Sequence, residues 1–419
     1  MEKLVIEGGQ KLRGEISVSG SKNATLPVLA ATLLTDKPCV IHNVPRLRDT
    51  LTMIKLLRSL GKSAVLEGDK VIVSKPTTSY VADYKLVSTM RGSFCVFGPL
   101  LAKFRQASVS LPGGCVIGIR PVDLHIKGVM GLGAKIHVES GYVHAKANKL
   151  KGTYIYLGGT FGSSVLATAN VMMAATLASG VTIIDSAACE PEVVDLGNFL
   201  NAMGAEVMGH GTPQITVRGV KSLHGAEYKI GPDRIEAGTY VLMAAATKSD
   251  ITIKNLNPTH IMALLHHVQE AGVSYKQKGH TVKITSRKNL KPVSLTTYPY
   301  PGFPTDLQAQ FMALMATTPG VSVITEKVFP DRFIHIAELN RMGAKIRREG
   351  YSAIIEGVKS LYGAPVMASD LRASAALVIA GLAAKGRTEI HRIYHLERGY
   401  ENMDEKLRGL GAKVWKEKE

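Results

Sequence analysis

At 419 residues, 45% of them hydrophobic, the chain is long enough to bury two or three separate cores. Its four cysteines (Cys39, Cys95, Cys115, Cys189) are scattered and form no CxxC pair, which excludes a disulfide framework, argues against a zinc site and suits a reducing cytosol. A net charge of +17 invites a nucleic-acid reading, but the chain has one Trp and no Lys/Arg run, so a small anionic substrate explains the surplus as well.

The start, MEKLVIEGGQ, alternates as a strand and carries no signal-peptide pattern, so a cytoplasmic protein is expected. A nearly all-apolar helix follows at 23–34, then a strand at Cys39 and an amphipathic helix, LRDTLTMIKLLRSLG, ending at Gly61. The same order returns with RGSFCVFGPLLA at 91–102, a strand start at Val109, and GLGAKI around Gly133. Residues 152–184 carry no charge and reach the length of a membrane span. They also hold Ser163, Ser164 and Asn170 and break at Ser179-Gly180, so they read as a buried helix followed by a buried strand, with no membrane partner.

Two markers keep a common beat to the end of the chain. Helix-closing glycines fall at 61, 133, 204, 272, 343 and 411, at intervals of 72, 71, 68, 71 and 68 residues. Strand starts fall at Cys39, Val109, Val181, Ile251, Val321 and Thr388, at intervals of 70, 72, 70, 70 and 67. A helix with a glycine cap, followed by an alternating pattern such as GAKIHVESGYVHA, predicts helix then hairpin. The chain is therefore six units of about 70 residues, each strand, helix, strand, helix, hairpin. Six helices without a polar stripe must lie inside, and one core of that size is too large, so three units per domain is the expected division.

Polar residues gather at the first turns of these buried helices: Lys22 and Asn23, Arg91, Ser163 and Ser164, Asp233, Arg234 and Glu236, Asp306, Asp370 and Arg372. Helix N-termini favour anions, and two facing domains would line a cleft with six such ends. The carboxylates there have an ordinary use as helix caps or arginine partners. The cations Lys22, Arg91 and Arg372 oppose the helix dipole, so either an acidic neighbour or an anionic substrate should offset them. Among the thiols, Cys39 and Cys95 sit in apolar runs and read as core residues, and Cys189 is ambiguous. Cys115, in LPGGCVIGIRPVDLH at 111–125, follows two glycines and precedes Arg120, a setting that favours thiolate.

Several stretches carry a family resemblance: KNATLP at 22–27, MRGSF at 90–94, LPGGCVIGIRPVDLH, EPEVVD at 190–195, PDRIEAGT at 232–239, PGFPTDLQAQ at 301–310, VFPDRFIHIAEL at 328–339, ASDLRASAALV at 368–378 and RIYHLERGYE at 392–401. From end to end the chain resembles the UDP-N-acetylglucosamine enolpyruvyl transferases, which open peptidoglycan synthesis. The resemblance implies an α/β fold of two inside-out α/β barrel domains, each with three βαβαββ units. It further implies that residues 22–231 form the first domain, carrying the Cys115 loop. Residues 1–21 and 232–419 form the second, the N-terminal strand returning to the C-terminal half.

For chemistry, the resemblance implies transfer of the enolpyruvyl group of phosphoenolpyruvate to the 3-hydroxyl of the sugar by addition and elimination, with no metal and no redox cofactor. Cys115 matches the general acid, which can carry a phosphoenolpyruvate adduct and is the residue alkylated by fosfomycin. Asp306 matches the base for the sugar hydroxyl, and a carboxylate near anionic substrates would suit that role. Lys22, Arg120 and Arg398 match the cations on phosphoenolpyruvate, and Asn23 a positioning amide. Arg91, Arg120, Pro121, Val122, Asp123, Leu124, Gly162, Ser163, Ser164, Val165, Asp306 and Val328 match the nucleotide-sugar contacts. Asp49 is expected to partner Arg398, while Asp233, Arg332, Asp370 and Arg372 belong to the cleft wall. The 111–125 loop would act as a lid that closes on the nucleotide sugar. The chain departs from the family pattern at Leu166, at Pro330-Asp331 and at Cys189. The nearest rival is 5-enolpyruvylshikimate-3-phosphate synthase, which shares donor and fold; a nucleic-acid-binding protein is the rival of another class.

Overall fold

The computed structural model describes residues 2–113, 122–286 and 290–419. The described strands form six four-stranded sheets built to one plan. In one of them Tyr154–Tyr156 runs parallel to the central strand Val181–Asp185, which pairs on its other side with the antiparallel hairpin Gln214–Arg218 and Glu206–Met208. Parallel neighbours require a crossover, and here it is the buried helix Val165–Ala175. A second helix, Pro191–Ala202, leads from the central strand to the hairpin. This is the βαβαββ order; among the described residues it runs complete along the chain in five units, and the sixth lacks one hairpin strand.

The helix-closing glycines explain the period. Gly61, Gly133, Gly204, Gly272, Gly343 and Gly411 all have φ between +86° and +102°. Each ends an amphipathic helix in the left-handed region that only glycine enters without strain, and so turns the chain into the next strand. The hairpin Lys135–Glu139 and Tyr142–Lys146 closes through Ser140 and Gly141, both at positive φ, as a tight right-twisting turn demands.

The buried helices are as apolar as their sequences. All nine residues of Gln308–Ala316 are buried, as is Leu371–Ala383 from Arg372 to Leu382. Each fully buried Leu or Met on them contributes about 2 kcal/mol of hydrophobic stabilisation. Backbones approach closely where the sequence allows it. A Cβ on Gly98 would lie 2.1 Å from the carbonyl oxygen of Asn170, so the helices Phe97–Phe104 and Val165–Ala175 touch at that glycine.

The chain forms two compact units, one of them Pro232–Glu419 with the chain's start up to Ser19, the other lying between Gly20 and Gly231. Each encloses its own apolar core. The strands exchange at the crossovers. Arg13–Ser17 precedes the helix Lys22–Ala31 in sequence but pairs in parallel with Asp250–Lys254. Glu227–Lys229 precedes the helix Arg234–Ala246 but pairs with Cys39–His42. The first strand, Glu2–Glu7, lies between Arg387–His391 and Lys413–Lys418, antiparallel to both, and so supplies the hairpin strand that the last repeat lacks.

Three local readings need correction. The strand expected to start at Val109 begins at Gln106, because the chain re-enters extended structure directly after the left-handed Arg105. The helix expected over 91–102 begins as a 3-10 segment, Arg91–Val96, and becomes α-helical at Phe97. The uncharged stretch 152–184 holds a helix of only 11 residues, and its last strand is buried on alternate positions rather than throughout. No helix of the described residues is long and apolar enough to cross a membrane.

Candidate functional site

Cys115, Arg120, Pro121 and most of the expected lid lie outside the described residues. Of the other thiols, Cys39 and Cys95 are buried, and burial pushes Cys95 up to about 12, which leaves it an inert thiol at neutral pH. Cys189 is half-buried, and burial, followed by the charge of Glu190, raises its thiol too.

In the unit between Gly20 and Gly231, Lys22 is the first residue of its helix, which Ser21 caps by accepting from the Ala24 N–H at 3.3 Å. Its ammonium sits 3.0 Å from Oδ2 of Asp49, in the first turn of the helix Arg48–Ser59. The cation at this helix end is thus offset by an acidic neighbour, and its position alone does not demand an anionic ligand. Asn23 beside it is half-buried, as is Arg91. Val122 precedes the helix Asp123–Gly131; Asp123 is exposed and Leu124 half-buried. Gly162 has φ +92° and exchanges two 3.1 Å backbone hydrogen bonds with Gly159, forming a tight turn. Ser163 and Val165 beside it are half-buried, and Ser164 is the N-cap of the helix Val165–Ala175, accepting from Ala167 N–H.

A node behind these residues was not foreseen. The amide of Asn170 accepts from Gly98 N–H at 2.6 Å and donates to the Phe94 carbonyl at 3.0 Å and to Nδ1 of His125 at 2.8 Å. The His125 ring meets Phe94 edge-on. Burial first, then the charge of Arg91, lowers His125 to about 3, so it stays neutral and accepts this bond.

The other unit brings together four of the expected residues. Asp306 lies in the 3-10 turn Thr305–Leu307, ahead of the buried helix Gln308–Ala316. Its Oδ1 accepts from Nη1 of Arg332 at 2.7 Å, and its Oδ2 from Nε and Nη2 of Arg372 at 3.2 and 3.0 Å. Both guanidinium groups are nearly inaccessible, whereas the carboxylate keeps a quarter of its surface open. Two cations of the protein itself thus flank Asp306. Burial by itself would lower both arginines. For Arg332 the nearby carboxylates Asp306, Asp370 and Glu326 outweigh it; for Arg372 Tyr400 acts first, then Asp306 and Asp233.

Asp233 and Asp370 are helix caps. Asp233 Oδ1 accepts from Ile235 and Glu236 N–H, and Asp370 Oδ1 from Arg372 and Ala373 N–H. Each satisfies two of the helix's orphan donors, and each sits where the dipole favours an anion. Glu236 turns away from any ligand role: it is buried, accepts from Ser19 N–H, and is paired with Lys406 at 2.6 Å. Behind Asp306, Gln310 donates to the Asp306 carbonyl and the Tyr400 hydroxyl, and Arg372 stacks over the Tyr400 ring. Val328 is half-buried, with its N–H bound to Glu326. Arg398 ends the 3-10 segment Ile393–Arg398 and is half-buried. Among the described residues no group of three His, Cys, Asp or Glu side chains could hold a metal ion.

One unit thus offers a carboxylate held in fixed orientation by two guanidinium groups, and the other a lysine at a helix start paired with one carboxylate. Groups of these types hold anions and move a hydroxyl proton. Over residues 6–407 the chain matches the family model described as EPSP synthase (3-phosphoshikimate 1-carboxyvinyltransferase). It is similar to UDP-N-acetylglucosamine 1-carboxyvinyltransferase 2 of Carboxydothermus hydrogenoformans, with 54% identity over 99% of both chains. In fold it is similar to the enolpyruvyl transferase NikO from Streptomyces tendae, with TM-score 0.89, 24% identity, and 99% of this chain and 98% of that one covered. It is also similar in fold to the EPSP synthase of Acinetobacter baumannii, with TM-score 0.74 and 19% identity over the whole of both chains.

Proposed function

The chain belongs to the enolpyruvyl transferase family, and from that premise we propose that it transfers the enolpyruvyl group of phosphoenolpyruvate to the 3-hydroxyl of UDP-N-acetylglucosamine. The observation that carries this reading is the 54% identity, over nearly the full length of both chains, to a transferase named for that acceptor. Likeness to the solved EPSP synthase, at 19% identity, supports the fold alone. The product would be the carboxyvinyl sugar nucleotide from which peptidoglycan synthesis proceeds.

The chemistry is an addition followed by an elimination. The sugar oxygen bonds to the central carbon of phosphoenolpyruvate while the methylene carbon takes a proton. That carbon then returns a proton as the bond to phosphate breaks, restoring the double bond and releasing inorganic phosphate. In this reading Asp306 takes the proton of the 3-hydroxyl, and its two arginines keep it aimed. Cys115 supplies the proton to the methylene carbon. Lys22, Arg120 and Arg398 hold the phosphate and carboxylate of the donor, and Asn23 positions it. Lys22 then serves two partners in turn, Asp49 in the protein and the donor when it binds. Arg91, Arg120, Pro121, Val122, Asp123, Leu124, Gly162, Ser163, Ser164, Val165 and Val328 bear on the nucleotide sugar. Fosfomycin, as an electrophile, would alkylate the Cys115 thiolate.

Phosphate release in the presence of phosphoenolpyruvate tests the reading. Turnover should require UDP-N-acetylglucosamine, and turnover with 3-phosphoshikimate instead would replace it with the sister activity.

A further inference from the structure

Glu326 follows directly on the strand Gly320–Thr325, and its side chain is wholly inaccessible. Burying a carboxylate is costly unless donors surround it. Here four do. Its Oε1 accepts from the Thr297 hydroxyl at 2.7 Å, Val328 N–H at 2.8 Å and Phe329 N–H at 2.9 Å. Its Oε2 accepts from the Thr305 hydroxyl at 2.9 Å.

The last bond decides the direction of the rest. A hydroxyl has one proton to give. Thr305 gives it to Glu326, so its lone pairs are left to accept, and Nη1 of Arg332 lies 3.1 Å from them. The same Nη1 donates to Oδ1 of Asp306 at 2.7 Å. One unbroken chain of hydrogen bonds thus runs from the Val328–Phe329 backbone through Glu326, Thr305 and Arg332 to the Asp306 carboxylate.

We infer that Glu326 is a positioning residue of the transfer reaction, fixing the Val328 backbone directly and the Asp306 carboxylate through Thr305 and Arg332. The inference rests on the reading in which Asp306 takes the acceptor's proton and Val328 meets the nucleotide sugar. Neither Glu326 nor Thr305 needs to touch a substrate. A buried carboxylate that merely closed a turn would be satisfied by Thr297 and the two backbone N–H groups. The bond to Thr305 adds a defined orientation for the base, at the atom whose misplacement by about 1 Å costs on the order of 100-fold in rate.

Three variants of the full chain separate the roles: Thr305→Val, which removes the relay at constant shape; Thr305→Ser, which restores the hydroxyl; and Glu326→Gln, which keeps the shape and loses the charge. Thr305→Val should lower kcat by about 10-fold or more, with the phosphoenolpyruvate KM within about twofold of the parent. Thr305→Ser should recover most of that loss. Glu326→Gln should lower kcat and also raise the acceptor KM, because it disturbs both arms. Parental kcat in a folded Thr305→Val protein would overturn the inference, as would equal impairment of the Val and Ser variants. Should Thr305→Val not fold, Glu326→Gln decides: kinetics unchanged from the parent would overturn it. A parent protein that does not turn over UDP-N-acetylglucosamine would instead overturn the functional reading, and this inference with it.

Discussion

Arg372 holds a single oxygen of Asp306 with two of its nitrogens, Nε at 3.2 Å and Nη2 at 3.0 Å. The planar guanidinium fixes the direction of that carboxylate as well as its charge. It is wedged in place by the Tyr400 ring, 5.3 Å away.

Replacing Arg372 by Lys keeps the charge but not the fork. Lysine offers a point charge on a flexible stem, which does not reproduce the two-nitrogen grip or the stacking on Tyr400. Arg372→Lys should fold and lose about 100-fold in kcat, as expected for a base freed to wander by an ångström. Steady-state kinetics check this, and a kcat within twofold of the parent would show that orientation by Arg372 is dispensable.

The pair between Lys22 and Asp49 gives a second expectation. Asp49 has almost no exposed surface, and Lys22 little more. Asp49→Asn should lower stability by about 3 kcal/mol, the usual cost of removing one partner from a buried ion pair. In this variant inorganic phosphate or phosphoenolpyruvate should raise the melting midpoint more than in the parent, since the anion makes good the lost charge. Equal shifts in both proteins would separate Lys22 from the donor.

His125 predicts an acid limb of stability. Its value falls from 6.5 to about 3 on folding, so between those values the unfolded chain binds the extra proton. Stability is then complete above about 6.5 and is lost as the pH falls towards 3, by about 2 kcal/mol at pH 5 from this residue. His125→Gln retains an acceptor for Asn170 and cannot titrate. Urea midpoints at pH 7.5 and pH 5 should therefore draw closer together in the variant than in the parent.

For Cys115 the expectation is chemical. Cys115→Asp retains a proton donor, with a carboxyl in place of the thiol, so activity should persist with a shifted pH optimum. Fosfomycin should no longer inactivate, because the nucleophile is gone. Persistent, irreversible loss of activity in this variant would locate the drug's target at another side chain.

Much of the architecture was written in the local sequence. The six glycines announced themselves because a left-handed helix end admits little else, and the six apolar helices because a surface without a polar stripe must be covered. The strand exchanges were not legible in the same way. Arg13–Ser17 and Glu227–Lys229 are short, and what decides their partners is distant sheet edges rather than their own residues. That the first strand returns to the C-terminal half followed from family likeness alone, and its place between Arg387–His391 and Lys413–Lys418 was not legible. At the site, Asp306, Asp370 and Arg372 stood out as charges at apolar helix starts, whereas Arg332 came from family likeness alone. Glu326 did not, because a glutamate after an alternating strand reads as a surface residue until Thr297, Thr305 and two backbone donors close around it. Asn170 was noticed as a polar residue in an uncharged stretch, and its three bonds to other segments supply the reason it is there.

The most direct test of the central claim puts both acceptors in one vessel. The full chain is incubated with phosphoenolpyruvate and equal concentrations of UDP-N-acetylglucosamine and 3-phosphoshikimate, and the carboxyvinylated product is identified by mass spectrometry. The sugar nucleotide should carry the new group at its 3-oxygen, in step with the phosphate released, while 3-phosphoshikimate is recovered unchanged. Carboxyvinylated shikimate, or phosphate release with neither acceptor modified, would contradict the assignment.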